Sequence, residues 1–341
     1  MKIIIDIGHP AHVHYFKNFI NLMSEKGHDF LIIAREKECT FDLLNAYNIP
    51  FLSRGKGKKS GIGKLVYMLK ADLTILKQAL IFKPDLFLSF ASPYAAQVAW
   101  LLNIPSFTLD DTEHASVAHR FYVPFTKKIL TPESFVKDFG KKHHRFNSFI
   151  ELTHLHSNYF IPDRSIFNLL DIDESTQYIV FRFVAWDANH DWGHGGLSDD
   201  LKYKLIDYLS SRYKVFISSE KKLPKQLEKY RLKIPYHKIH DVLYFSKLFI
   251  GEGATMASEC AMLGTHAIYV NSLSSGTLNI QDKEGLIKEF RGDEGVFDYV
   301  IEFLNLSTSR LQEKQIAYSN YIKSLDDPTK FLIDYIEENI N

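Results

Sequence analysis

Short apolar runs alternate along this chain with stretches in which apolar positions recur every three or four residues, a rhythm that predicts parallel α/β units. Lys2-Ile3-Ile4-Ile5 reads as a buried strand, Phe16 to Met23 as a helix closed by Gly27, and Phe30 to Ala34 as the next strand. A helix over Phe41 to Tyr47, a short strand over Ile49 to Leu52 and a helix from about Leu65 to Ile81 follow. Strands at Pro84 to Phe90, Asn103 to Leu109 and Ile129 to Thr131 complete a first half, the last of them its expected final strand. The period is lost between Glu151 and Arg164, where a linker is expected. It restarts with strands at Tyr178 to Phe183 and Lys214 to Ser218, a helix near Asp241 to Phe245, and strands at Lys247 to Ile250 and Ala267 to Val270. Gln312 to Ile340 reads as helical. The expected parts are therefore a domain over residues 1–155, a second over 156–315, and a closing helix over 316–341 that returns to the first.

Composition narrows this picture without redirecting it. A chain of 341 residues with 45% hydrophobic positions can bury two cores. Lys plus Arg equals Asp plus Glu at 41 each, so no global basic field recruits nucleic acid. Cys39 and Cys260 stand alone, which suits a reducing compartment and excludes a disulfide framework. No apolar run approaches the ~20 residues that span a bilayer, and the first residues enter a strand with no signal-peptide layout, so a cytoplasmic protein is the expectation.

Candidate chemistry gathers at the ends of the expected strands. Gly251-Glu252-Gly253 turns the chain from a strand into the helix beginning at Ala254, leaving the first helical amides (Ala254, Thr255, Met256) for an anion. Glu259 lies further into that helix and leans back toward its mouth, where it can meet a ribose diol. Arg182, at another strand end, is placed to clamp a pyrophosphate. In the first half, the loop from Gly8 to His14 carries His9, His12 and His14, with His12 the expected general base. Asp110-Asp111-Thr112-Glu113-His114 puts four ionisable groups at another strand end, with Glu113 and His114 the next candidates for catalysis. A glycine-rich basic loop, Arg54 to Lys64, lacks the phosphate-loop spacing but offers a surface to an anionic acceptor or headgroup. Asp187, His190, Asp191 and His194 invite a metal but match no recognised ligand spacing, so no metal is expected.

The stretch Gly253-Ala254-Thr255-Met256-Ala257-Ser258-Glu259, followed by Ala261-Met262-Leu263-Gly264-Thr265, resembles the donor-nucleotide segment of GT-B glycosyltransferases. It is similar both to the enzyme that adds N-acetylglucosamine to the peptidoglycan lipid precursor and to the non-hydrolysing UDP-N-acetylglucosamine 2-epimerases. Nearly the whole chain resembles a bacterial and archaeal family of unassigned function grouped with GT-B proteins and marked by Asp6-Ile7-Gly8-His9-Pro10-Ala11-His12-Val13-His14. The resemblance implies an α/β, GT-B-like fold of two Rossmann-type parallel-sheet domains facing across a cleft. Turn amides would hold the pyrophosphate of a UDP-sugar and Glu259 the ribose, with the nucleotide-sugar as substrate and no cofactor. Ala11-His12-Val13 resembles the acceptor-side loop of the peptidoglycan enzyme, although Pro10 and Ala11 stand where glycines are usual. His9, His14, Asp110 and Asp111 then fall on the acceptor or sugar side. The implied activity is glycosyl transfer to a saccharide or lipid-linked acceptor, which leaves room for peripheral membrane contact. The alternatives are 2-epimerisation, which needs carboxylates near the sugar ring, and nucleotide-sugar binding without catalysis.

Overall fold

The structure, a computed structural model, describes residues 1–58, 61–184, 196–219 and 222–340. The chain divides into two compact units, one of Met1–Tyr159 with Asp326–Asn341 and the other of Phe160–Leu325.

In the first unit β1 (Lys2–Ile7), β2 (Asp29–Ala34), β3 (Phe51–Ser53), β4 (Leu86–Phe90), β5 (Ser106–Leu109), β6 (Lys128–Pro132) and β7 (His143–Phe146) alternate with helices. These are α1 (Pro10–Glu25), α2 (Thr40–Ala46), α3 (Gly61–Phe82), α4 (Pro93–Leu101), α5 (Ser116–Tyr122) and α6 (Leu152–Leu155). The seven strands lie in the order β3-β2-β1-β4-β5-β6-β7, every pair parallel. Ile3, Ile4, Ile5 and Ile7 have no exposed surface, because a parallel sheet is covered on both faces and its central strand has no polar side. β7 corrects the expectation that the strand at Ile129 closes this half. Only Phe146 of its four residues is buried, so an edge strand with a polar sequence carried no apolar run to read.

In the second unit the elements are α7 (Ile166–Leu169), β8 (Tyr178–Phe183), α8 (Asp199–Ser210), β9 (Lys214–Ser219), α9 (Ile239–Phe245), β10 (Leu248–Gly251), α10 (Ala254–Leu263), β11 (Ala267–Val270), α11 (Gly276–Lys283), β12 (Ile287–Phe290), α12 (Val296–Leu304) and α13 (Thr308–Lys323). The strand order is β12-β11-β10-β8-β9, again all parallel. The tail is two helices rather than one. Asp327 accepts from the amides of Thr329 and Lys330, both at 3.0 Å, and Pro328 starts α14 (Pro328–Asn339) at the one position where its missing N–H is harmless. α14 belongs to the first unit, where Leu332, Ile333 and Ile336 join Phe16, Phe19 and Met23 of α1 in the core.

Strand order reverses once in each sheet, between β1 and β4 in the first unit and between β8 and β10 in the second. In open parallel sheets the crevice beyond the carboxyl ends at such a reversal is where ligands bind.

Candidate functional site

The reversal in the second unit is built around Gly251. It pairs with Arg182 across β8 and β10, and a Cβ there would lie 2.7 Å from the Phe249 ring and 2.9 Å from the Arg182 Cβ, so only glycine fits. Gly253 is different: its φ is −97° and an added Cβ would meet nothing closer than 3.6 Å. Gly253 serves as the N-cap of α10 and contributes no side-chain cap. The amide of Ala257 reaches the Gly253 carbonyl at 3.2 Å, and those of Ala254, Thr255 and Met256 have no partner among the described residues. Three N–H groups and the positive end of the helix dipole therefore converge on one point. Arg182, half-buried beside this turn, donates to Ser218 at 3.0 Å.

Glu259 lies in the second turn of α10, about 7.5 Å along the axis from Ala254 at 1.5 Å per residue. It is buried, and its Oε1 is 3.1 Å from Nε2 of His240, itself buried on α9. His240 carried no signal in the sequence, because 19 residues separate it from its partner and only the packing of α9 on α10 joins them. Glu252 was also missed. Buried between the two glycines, it accepts from the Val184 amide at 2.9 Å, sits 3.0 Å from the buried ammonium of Lys202, and leaves no room for a Cβ at Gly196. It secures the end of β8 to α8 and to the glycine turn. Asp187, His190, Asp191 and His194 lie outside the described residues.

The corresponding turn of the first unit is closed by its own atoms. His9 caps α1, its Nδ1 accepting from the Ala11 amide at 3.2 Å; Pro10 has no amide to offer; and the His12 amide reaches the His9 carbonyl at 3.1 Å. His12 Nδ1 accepts from the Gly8 amide at 3.3 Å, so a neutral ring carries its proton on Nε2. Burial, and then the positive potential of His9, Lys37 and Arg54, holds His12 well below the usual histidine range, while burial and Lys37 bring His9 down to about 4. The His9 and His12 rings lie 5.9 Å apart, and His12 packs at 4.7 Å on Phe90 at the end of β4. His14 does not join them. It is buried in the packing of α1, 3.1 Å from the Tyr47 hydroxyl and stacked on His154 at 5.3 Å.

Beneath the histidines lies a buried charge network that sequence reading did not find. Arg54 donates to both oxygens of Asp6, at 2.7 and 3.2 Å, and stacks its guanidinium 4.5 Å from the Tyr94 ring; Ser92 also donates to Asp6, and Arg54 to the Tyr67 hydroxyl. Arg54 is thus part of the interior rather than of a solvated basic loop. Gly57 follows it closely enough to Arg35 that a Cβ would fall 2.1 Å from the guanidinium. Asp72 on α3 is raised to about 6 by burial and then by the negative charge of Asp6.

The end of β5 carries a second polar group. Asp110 is wholly buried: Oδ1 accepts from the Thr112 amide at 2.9 Å, and Oδ2 takes the Tyr122 hydroxyl and lies 3.0 Å from Nε2 of His119. His119 Nδ1 is in turn 3.3 Å from the Lys137 ammonium. Asp111 is raised to about 7, first by burial and next by the adjacent charge of Asp110, although Thr112 donates to it at 2.8 Å. Glu113 is buried and accepts from the Val136 amide at 3.3 Å, whereas His114 is exposed. The structure brings Asp110, Asp111 and Glu113 together and turns His114 outward.

Comparison with known proteins places the fold. Staphylococcus aureus MnaA in its UDP co-structure matches with a TM-score of 0.72 at 12% identity, over 100% of this chain and 97% of that one. The UDP-GlcNAc 2-epimerase of Methanocaldococcus jannaschii, in complex with UDP-GlcNAc and UDP, matches at 0.65 and 15% identity over 90% and 94%. The Streptomyces sp. SF2575 glycosyltransferase SsfS6 matches at 0.60 and 12% identity over 97% and 99%. Two Rossmann-like parallel-sheet units of this kind are the GT-B fold. In sequence, an uncharacterized protein of M. jannaschii is 27% identical over 277 residues, 77% of this chain and 80% of its own length. The match to one family model runs over residues 1–341, and the chain belongs to the family described as "Protein of unknown function (DUF354)".

Proposed function

We propose that the protein is an enzyme acting on a nucleotide-activated sugar, with its second unit holding UDP. The observation that carries this reading is the uncapped mouth of α10 at the reversal of its sheet, with Glu259 held by His240 further along the same helix. Diphosphate oxygens suit the three amides, the Arg182 guanidinium lies at the neighbouring strand end, and a carboxylate is the ordinary acceptor for vicinal hydroxyls. With amides and a guanidinium to neutralise the phosphates, turnover proceeds without a divalent ion and survives chelation.

Glycosyl transfer to a saccharide or lipid-linked acceptor, as in surface polysaccharide or glycoconjugate synthesis, is the reaction we place first. In it Asp111 takes the acceptor proton, because burial and the charge of Asp110 raise its carboxyl to about 7, the range in which a general base both accepts and releases a proton near neutrality. The role expected of His12 changes accordingly. With Nδ1 occupied by the Gly8 amide and its pKa depressed, it acts as a neutral N–H donor to a substrate oxygen rather than as a base. Epimerisation at C2 is the second reading, favoured by the same observation: Asp110, Asp111 and Glu113 form a carboxylate group in which one member holds its proton near neutrality.

Incubation with a panel of UDP-sugars, with and without saccharide acceptors, separates the readings. Transfer releases UDP only when acceptor is present, epimerisation conserves the nucleotide sugar but changes its configuration, and recovery of every donor unchanged overturns both. Calorimetry with UDP alone tests the binding claim, and absence of heat at millimolar UDP removes it.

A further inference from the structure

α3 presents two opposed faces, and only one of them belongs to the fold. Its inward side repeats every fourth residue, with Tyr67, Ala71, Ile75 and Ala79 buried against the sheet and α4. From Val66 to Ile81 the exposed positions are Val66, Leu69, Lys70, Leu73, Lys77, Leu80 and Ile81. At 100° per residue these seven fall in one arc of about 120° on the side away from the core. Five are aliphatic and between 57% and 68% exposed, two are lysines, and none is acidic. A helix packed on a sheet normally turns a polar face to water. This one turns a leucine stripe edged by lysines, and an apolar patch of that kind marks an interaction surface. α4, packed beside α3, ends in Trp100 and Leu101, each 62% exposed. Lys58 before the helix and Lys83 after it are exposed as well.

We propose that the outward face of α3 docks the protein on a lipid bilayer bearing anionic headgroups. Charge decides the occupant. A second copy of the chain laid face to face would set Lys70 and Lys77 against the same lysines, with no acid on either face to meet them. An anionic bilayer offers acyl chains to the leucines and negative headgroups to the lysines beside them, whose stems follow apolar surface while their ammonium groups stay wet. The helix lies in the interface and does not cross it, since no described helix is long and apolar enough to span a membrane. The proposal does not rest on the nucleotide-sugar reading.

Flotation of the full chain with vesicles tests it, using phosphatidylcholine alone and phosphatidylcholine mixed in equal parts with phosphatidylglycerol. The protein should float with the mixed vesicles and stay behind with the neutral ones. Leu69→Glu with Leu73→Glu should weaken binding by roughly 100-fold, since each change removes a leucine from the apolar layer. Lys70→Gln and Lys77→Gln should each weaken it about fivefold at low salt, a difference that disappears at high salt. All four positions face solvent, so far-UV circular dichroism and the affinity for UDP should not move; if no variant and no parent binds UDP, the functional reading fails while the flotation result stands. Failure of the parent to float with mixed vesicles, equal flotation with neutral ones, or indifference to the leucine changes overturns the proposal. So does a dimer by light scattering that Leu73→Glu dissociates, in a protein that binds no vesicle.

Discussion

The two strand-to-helix turns at the sheet reversals have one architecture and opposite contents. After β1 the helix mouth is filled from within: His9 caps Ala11, Pro10 brings no amide, and Arg54 and Asp6 neutralise each other beneath. After β10 the mouth is left open by a glycine cap and an unsubstituted first turn. For the amides themselves, local sequence makes that difference. Pro at the first helical position and a capping side chain before it consume the donors that an anion needs. The comparison teaches that a turn whose donors are consumed by its own cap and proline has none left for an anion, whereas the glycine-capped turn keeps three.

The largest effect should come from the group whose proton moves. If Asp111 accepts a proton, Asp111→Asn loses roughly 10²–10⁴-fold in turnover. In the parent, kcat/KM should rise with pH through about 7 and flatten above it, because the base must be ionised, and the variant should lose that limb. Full turnover with the limb intact would return the role to another group in the first unit.

Next is the buried pair beneath α1. Arg54→Ala leaves the Asp6 carboxylate charged and dry, a change that costs about 3–5 kcal/mol in buried pairs. Chemical denaturation of the variant should show the loss, and an unchanged midpoint would mean that the pair contributes nothing to stability.

The comparison itself can be tested by copying one turn onto the other. Ala254→Pro places in α10 the residue that closes α1, and Gly253, at φ −97° and ψ 117°, already has the backbone that precedes a proline. The fold should survive while UDP binding weakens by about 1.5–3 kcal/mol, the scale of one hydrogen bond to a charged group. Glu259→Ala should cost about as much for UDP and little for uracil. Calorimetry that finds either variant equal to the parent removes that contact from the site.

The last effect, the smallest per pH unit, is a matter of sign. His266 in the second unit is held down to about 3 by burial, so its folded pKa lies below the unfolded 6.5. The stability it allows is complete above pH 6.5 and is lost as pH falls toward 3, by at most about 1.4 kcal/mol per pH unit. Asp111 works the other way. Its folded pKa near 7 exceeds the ordinary 3.8, so its contribution is complete below pH 3.8 and is lost as pH rises to 7. Thermal melts across this range should therefore flatten in opposite directions in His266→Phe and Asp111→Asn, and parallel changes would contradict the assignment.

Much of the molecule could be read before it was folded. The unbroken apolar runs at Ile3 to Ile5 and Tyr178 to Phe181 read as central parallel strands, because nothing polar interrupts them on either face. Gly251 announced its turn as a glycine closing an apolar run, while the crowding by Arg182 that bars a side chain there appears only across the sheet. β7 and the break at Pro328 escaped, the first because an edge strand needs no apolar run and the second because a proline after aspartate can start a helix as well as end one.

What the sequence determined by itself is whatever neighbours in the chain decide: strand, turn, cap, and the open mouth of α10. Tertiary structure decided which charged groups are dry and which of them meet. Arg54 looked like one cation among many in a basic loop until burial set it on Asp6, 48 residues away. His240 and Glu259 became a pair only when α9 packed on α10, and of the three histidines after β1 the helix kept His9 beside His12 and turned His14 into its packing against Tyr47 and His154. The physical reason is range. Hydrophobic period and capping act over a few residues, whereas desolvation and Coulomb interaction depend on what the folded chain brings within a few ångströms, and no spacing along the sequence records that.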